Sequence, residues 1–120
     1  MKDNIIKDKS YAFALRIVKA YKYLIQEHRE FVLSKQVLRS GTAIGALVWE
    51  SVHAQSKADF ISKINIALKE ANETEYWLML LKDSEYMDNN TFSSIHKDCD
   101  ELIRLLVSIL KTSKANTTKK

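Results

Sequence analysis

Glu50 and His53 stand three residues apart, a spacing that puts a carboxylate and an imidazole on one face of a helix. In di-iron bundles two such Glu-x-x-His pairs and two further glutamates meet in the core. This chain carries one pair, so it reads as a surface pair, and a metal-dependent bundle enzyme centred on it is only a remote alternative. His96, Cys99 and Asp100 fall at i, i+3 and i+4 and share a helical face. A structural zinc site takes four ligands, and the chain has no second cysteine. Cys99 lies on an apolar stripe, where cysteine acts as a small hydrophobe, and no third group orients a Cys–His nucleophile. Gly41 and Gly45 have neither the Lys-Ser/Thr nor the preceding strand of a phosphate-binding loop. No catalytic residue, metal or cofactor is expected.

Charged and aromatic residues suggest binding more than catalysis. Glu70, Glu73 and Trp77 lie on one helical face. They read either as a solvated acidic face or as a contact surface. In the second reading the acids answer Arg or Lys from a neighbouring helix or subunit, and Trp77 is the apolar anchor. Trp49 lies off the apolar stripe of its helix and reads as a second interface residue. Lys35, Arg39, Lys57, Lys63 and Lys69, with Arg16, Lys19 and Lys22, are candidate phosphate contacts. Lys19 and Lys22 neighbour Tyr21 and Tyr23, a mixture that suits single-stranded nucleic acid. The glycine-aromatic motifs of an RNA-recognition sheet and the loop of a KH domain are absent. The net charge of +4 is unevenly placed: residues 1–35 carry eight Lys/Arg against four Asp/Glu, and the last ten carry four lysines and no acid. Basic chain ends are compatible with an anionic partner such as RNA, and equally with a soluble helical protein ending in a lysine-rich tail.

Four helical segments must position these residues. The first is expected from Ser10, as N-cap, to Gln26, with Phe13, Ile17, Ala20 and Leu24 as its stripe and Ala14, Val18, Tyr21 and Ile25 widening it. The second runs from Val32 to Ala54 on Leu33, Val37, Ser40, Ile44, Leu47, Ser51 and Ala54. Gly41 and Gly45, the only glycines in a chain without proline, sit inside it. A helical glycine costs about 1 kcal/mol relative to alanine, so a pair on one face points to the close approach of another helix. A break at Ser40-Gly41-Thr42 is the alternative; the preserved heptad phase favours one helix. The third begins at Ser56, with Asp59 completing a near capping box. It carries the cleanest heptad in the chain, Phe60, Ile64, Ala67, Ala71, Thr74, Leu78 and Leu81, and ends between Asp83 and Tyr86. The fourth starts between Asp88 and Thr91 on Phe92, Ile95, Cys99, Leu102, Leu106 and Ile109. Short connections between long helices predict an all-α, antiparallel up-down-up-down four-helix bundle over residues 1–112, followed by a disordered basic tail over 113–120. No apolar run is long enough to cross a membrane, no signal peptide is present, and the lone cysteine fits a cytoplasmic protein.

Several blocks carry a resemblance: Phe13-Ala14-Leu15-Arg16-Ile17-Val18, Leu38-Arg39-Ser40-Gly41-Thr42-Ala43-Ile44-Gly45-Ala46, Lys57-Ala58-Asp59-Phe60, Ala67-Leu68-Lys69-Glu70-Ala71 and Glu73-Thr74-Glu75-Tyr76-Trp77-Leu78. Together they resemble the bacterial 23S ribosomal RNA intervening-sequence proteins, also labelled S23 ribosomal protein, from about Ser10 to Leu110. The resemblance implies an antiparallel four-helix bundle that assembles as a ring-like homopentamer, with no established enzymatic activity. It motivates an RNA-binding or accessory role, since genes of the family lie within intervening sequences of ribosomal RNA genes. A similar pentameric bundle is the accessory protein of diversity-generating retroelements. The family pattern continues Ile-Gly-Ala-Asn; here Leu47 replaces the asparagine and Ser51 a later alanine, while Glu50 matches. The expected function is therefore a non-enzymatic homo-oligomeric bundle that binds RNA or other nucleic acid. The alternative is a structural or protein-interaction module without nucleic-acid affinity.

Overall fold

A computed structural model of the chain describes residues 2–118, with side-chain environments over residues 5–115. Four helices occupy nearly all of it: α1 (Lys2–Glu27), α2 (Leu33–Val52), α3 (Lys57–Asp83) and α4 (Asn89–Thr118). Each packs on its neighbours in sequence, and α4 closes back on α1. Contacts along every seam run in opposite directions. Lys7 meets Trp49 while Ile17 meets Gly41; Glu50 meets Lys63 while Arg39 meets Glu70; His96 meets Glu75 while Phe92 meets Lys82; Lys9 meets Glu101 while Arg16 meets Asp98. The helices therefore alternate up and down around one core, in a body 53 × 22 × 21 Å.

The core follows the stripes. Phe13, Ile17 and Leu24 face Val37, Ile44 and Val48, and Ile64, Leu78 and Leu81 face Ile95, Leu102 and Leu106; all are buried. The second segment is one unbroken helix through Ser40-Gly41-Thr42. Both glycines face α1. A β-carbon on Gly41 would lie 2.7 Å from Ile17 Cγ1, and one on Gly45 would lie 3.2 Å from the Ser10 carbonyl oxygen. The absent side chains thus let α2 approach the α1 backbone. Ser40, the small polar member of the α2 heptad, is buried and meets Thr74 of α3, with Oγ–Oγ1 at 2.8 Å. That pairing satisfies two hydroxyls which would otherwise be costly in a core.

Helix ends depart from the sequence expectation in three places. α1 begins at Lys2, two turns before Ser10. Ser10 is therefore an interior, buried residue whose Oγ donates to the Lys7 carbonyl at 3.2 Å, and Ile6 extends the buried stripe. α2 ends at Val52 with His53 as its C-cap, so Ala54 lies beyond it. α4 runs to Thr118, so residues 113–118 are helical where an irregular tail was expected; residues 119 and 120 lie outside the described residues. Other ends match their signals. Ser56 accepts from the Asp59 N–H at 3.0 Å, and the Asp88 carboxylate accepts from the Thr91 N–H at 2.7 Å at the start of α4. No helix among the described residues is long and apolar enough to cross a membrane.

Candidate nucleic-acid interface

The antiparallel order of α1 and α4 has an electrostatic consequence. An even number of helices returns the chain to the end where it began, so the start of α1 and the last turns of α4 lie at one pole of the bundle. The ion pair between Lys9 and Glu101, at 3.1 Å, marks the approach of α1 and α4 toward that pole. Lys7, Lys9, Lys57, Lys63 and Lys111 gather there, with Asp8, Glu50, Asp59 and Glu101 as the nearest acids in the same segments. Of these, Lys57 and Lys111 are exposed and make no ion pair among the described residues. Lys7 sits over the Trp49 ring at 4.1 Å, a contact across 42 residues of sequence that no local pattern signals.

The eight basic candidates divide into two groups. Arg16, Arg39 and Lys63 are engaged within the chain. Arg16 Nη1 donates to Asp98 Oδ2 at 2.7 Å and its Nη2 to Ser94 Oγ at 3.0 Å, tying α1 to α4. Arg39 bridges from α2 to Glu70, at 3.2 Å, and to Glu73 on α3. Lys63 lies 3.7 Å from Asp59 and 3.8 Å from Glu50. Lys19, Lys22, Lys35, Lys57 and Lys69 are exposed and make no ion pair within 4 Å among the described residues. Lys19 and Lys22 lie toward the other end of α1, near the start of α2 where Lys35 sits; Lys69 lies mid-helix on α3, where its charge acts on Glu73. The fold thus spreads the unpaired lysines along the bundle instead of collecting them in one stripe.

Glu70 and Glu73 of α3 pair with Arg39 of α2 in the same chain. Trp77 Nε1 donates to Glu73 Oε2 at 2.9 Å. That indole N–H, outweighing the effect of burial together with Arg39 and Lys69, holds the Glu73 carboxyl below its ordinary range. Trp77 is half-buried against the core, whereas Trp49 is 52% exposed. Large apolar side chains are exposed on several elements, including Ile5 and Tyr23 of α1 and Phe31 and Val32 between α1 and α2. Tyr11, Leu15, Trp49 and Val52 lie on the outer side of α1 and α2, and Ile66, Tyr76 and Met79 lie on the outer side of α3. α1 and α3 stand diagonally across the bundle.

The residues suited to metal or nucleophilic chemistry are directed elsewhere. Glu50 meets Lys63, His53 caps α2, His96 Nε2 lies 2.8 Å from Glu75 Oε2, and Asp100 pairs with Arg104 at 2.9 Å. Cys99 is buried with its Sγ 3.5 Å from the Ala71 carbonyl; burial, reinforced by the charges of Glu75 and Asp100, pushes its thiol up to about 12. No cluster of three or more potential metal ligands occurs among the described residues.

Comparison with known proteins fits this geometry. The family profile described as 23S rRNA-intervening sequence protein matches residues 2–108. The chain belongs to the 23S rRNA-intervening sequence protein family. A crystal structure of a protein of unknown function from the S23 ribosomal protein family, from Bacteroides thetaiotaomicron VPI-5482, is 60% identical. It superposes with a TM-score of 0.91, covering 92% of this chain and 99% of that one. No curated protein matches the chain. Leu47 is half-buried and packs against the core cluster.

Proposed function

We propose that this 23S rRNA-intervening sequence protein is a non-enzymatic, self-associating helical bundle that acts in the cytoplasm as an accessory factor to RNA. The observation that supports the reading is the set of exposed lysines, Lys19, Lys22, Lys35, Lys57 and Lys69, that make no ion pair within 4 Å among the described residues. Phosphate contacts there would be largely sequence-independent, and their affinity would fall steeply with salt. Self-association is supported by the large apolar side chains exposed on α1, α2 and α3, Tyr11, Trp49 and Tyr76 among them. A patch that pairs with a different patch makes a head-to-tail contact, and such contacts close into rings when the rotation allows. A homopentameric ring, as the family resemblance implies, is consistent with that arrangement.

The test is a salt series of RNA binding by the purified protein, with mass measured by light scattering in the same samples. A salt-sensitive complex on a defined oligomer supports the reading. Affinity unchanged across the series refutes the phosphate contacts, and a monomer at all concentrations refutes self-association. The second reading, a protein-interaction module without RNA affinity, draws on the internal engagement of Arg16, Arg39 and Lys63. A defined oligomer that binds no RNA at any salt concentration would favour it.

A further inference from the structure

The α1–α4 seam is the least closely packed of the four, and near the α3–α4 turn it opens into a groove of about 480 Å³. Its floor is apolar, made by Met87 and Ile95, both buried. Its walls are aromatic, made by Tyr23 of α1 and Tyr86 of the turn. His28 braces both rings edge-on, with centroids 5.2 Å from Tyr23 and 5.7 Å from Tyr86. The His28 Nε2 also lies 3.3 Å from the Tyr23 hydroxyl. The tyrosines are therefore positioned before anything binds, although Tyr23 remains 52% exposed. Lys19 and Arg16 stand on the same wall. Arg16 is anchored by Asp98 and Ser94, which leaves Lys19 as the exposed cation at the rim, without an ion pair among the described residues.

A groove walled by the exposed Tyr23 and the half-buried Tyr86, over an apolar floor and beside an unpaired ammonium, has the dimensions and chemistry to take one nucleotide. We infer that the groove holds one unstacked base of single-stranded RNA against Tyr23 and Tyr86, with the adjoining phosphate at Lys19. Asp88, across the groove, is an acceptor for an exocyclic amino group, so an adenine, cytosine or guanine suits the site. This assignment rests on the RNA-accessory reading and adds a strand-selective site beside the α3–α4 turn. Double-stranded RNA keeps its bases stacked and so cannot fill the groove.

The test uses fluorescence anisotropy on the full chain with labelled single-stranded oligoadenylate, an RNA duplex of equal length, and AMP as competitor. The variants are Tyr23→Leu, Tyr86→Leu and Lys19→Ala, each checked for wild-type helicity. Tyr23→Leu is expected to weaken oligoadenylate binding about tenfold, the loss of one stacked base, and to leave duplex binding unchanged. Lys19→Ala is expected to lower the single-strand salt slope by about 0.7, the share of one phosphate. Oligoadenylate binding unchanged in both Tyr23→Leu and Tyr86→Leu would overturn the groove assignment while leaving the RNA reading intact. AMP competing as tightly as the strand would overturn the strand as occupant in favour of a free nucleotide. A wild-type protein that binds neither strand nor duplex would overturn the RNA reading itself, and this inference with it.

Discussion

Replacing Gly41 by alanine tests the packing that sets the distance between α1 and α2. The new methyl would lie 2.7 Å from Ile17 Cγ1, 2.9 Å from Cγ2 and 3.0 Å from Cδ1. Ile17 is fully buried, and its branched β-carbon holds one rotamer in a helix, so the two γ-carbons cannot swing aside. Alanine brings a helix-propensity gain of about 1 kcal/mol, against an overpacking cost of about 1–3 kcal/mol. The net expectation is a loss of about 1 kcal/mol, or roughly 4 °C in Tm for a domain of this size. A double-mutant cycle isolates the cause. Ile17→Ala alone removes all three clashing carbons and leaves a cavity costing about 2–5 kcal/mol. In the double variant the Gly41→Ala methyl has room and keeps its propensity gain. The pair should then be less destabilised than the sum of the singles by about 1–3 kcal/mol. Ile17→Val retains both γ-carbons and should give no such relief. Urea and thermal unfolding followed by circular dichroism measure every corner of the cycle. A Gly41→Ala protein that melts at or above wild type, or a cycle additive within about 0.5 kcal/mol, would refute the close-approach argument.

Three further expectations rest on particular groups. Glu85 ends α3 with φ at 67°, and the bonds Tyr86 N–H to Leu81 O at 2.9 Å and Glu85 N–H to Lys82 O at 3.0 Å close a Schellman turn around it. Glycine is the residue suited to that conformation, so Glu85→Gly should raise stability by about 1 kcal/mol, and an unchanged or lowered Tm would contradict it. Burial pushes the Glu30 carboxyl up, but the N–H groups of Leu33, Ser34 and Val32 outweigh it and hold the carboxyl below its ordinary 4.5. A depressed folded value means the stabilisation is complete above about pH 4.5 and is lost as pH falls through the folded value. The stability gap between wild type and Glu30→Gln should therefore narrow between about pH 7 and about pH 3, and a gap independent of pH would refute the cap. Cys99, buried with its thiol raised to about 12, should react with a disulfide reagent at about pH 8 only as fast as the protein opens; rapid labelling of the folded protein would refute its burial.

Much of the bundle is legible along the chain. The stripe Ile64, Ala67, Ala71, Thr74, Leu78 and Leu81 is buried as its heptad spacing predicts, because a helical face is a property of local periodicity. The Ser56 cap is legible for the same reason: side-chain type and short spacing dictate it. Position 10 shows the limit. Serine before an apolar stripe reads as an N-cap, yet Ser10 lies inside α1, since the Ile6 stripe continues through it and its small side chain leaves room for Gly45. Glu30 likewise caps α2 from a segment that reads only as a polar break.

Residue type and local periodicity suffice for the set of helices, their buried faces, the family and the demand of Gly41 and Gly45 for a close neighbour. The folded chain makes α1 that neighbour, engages Arg16, Arg39 and Lys63 with carboxylates of the same chain, and brings Lys19 to a groove with Tyr23 and Tyr86. Helical periodicity is set within a few residues and is written locally. A charge's partner or a groove's walls depend on which helices become neighbours, and that depends on packing the whole chain at once.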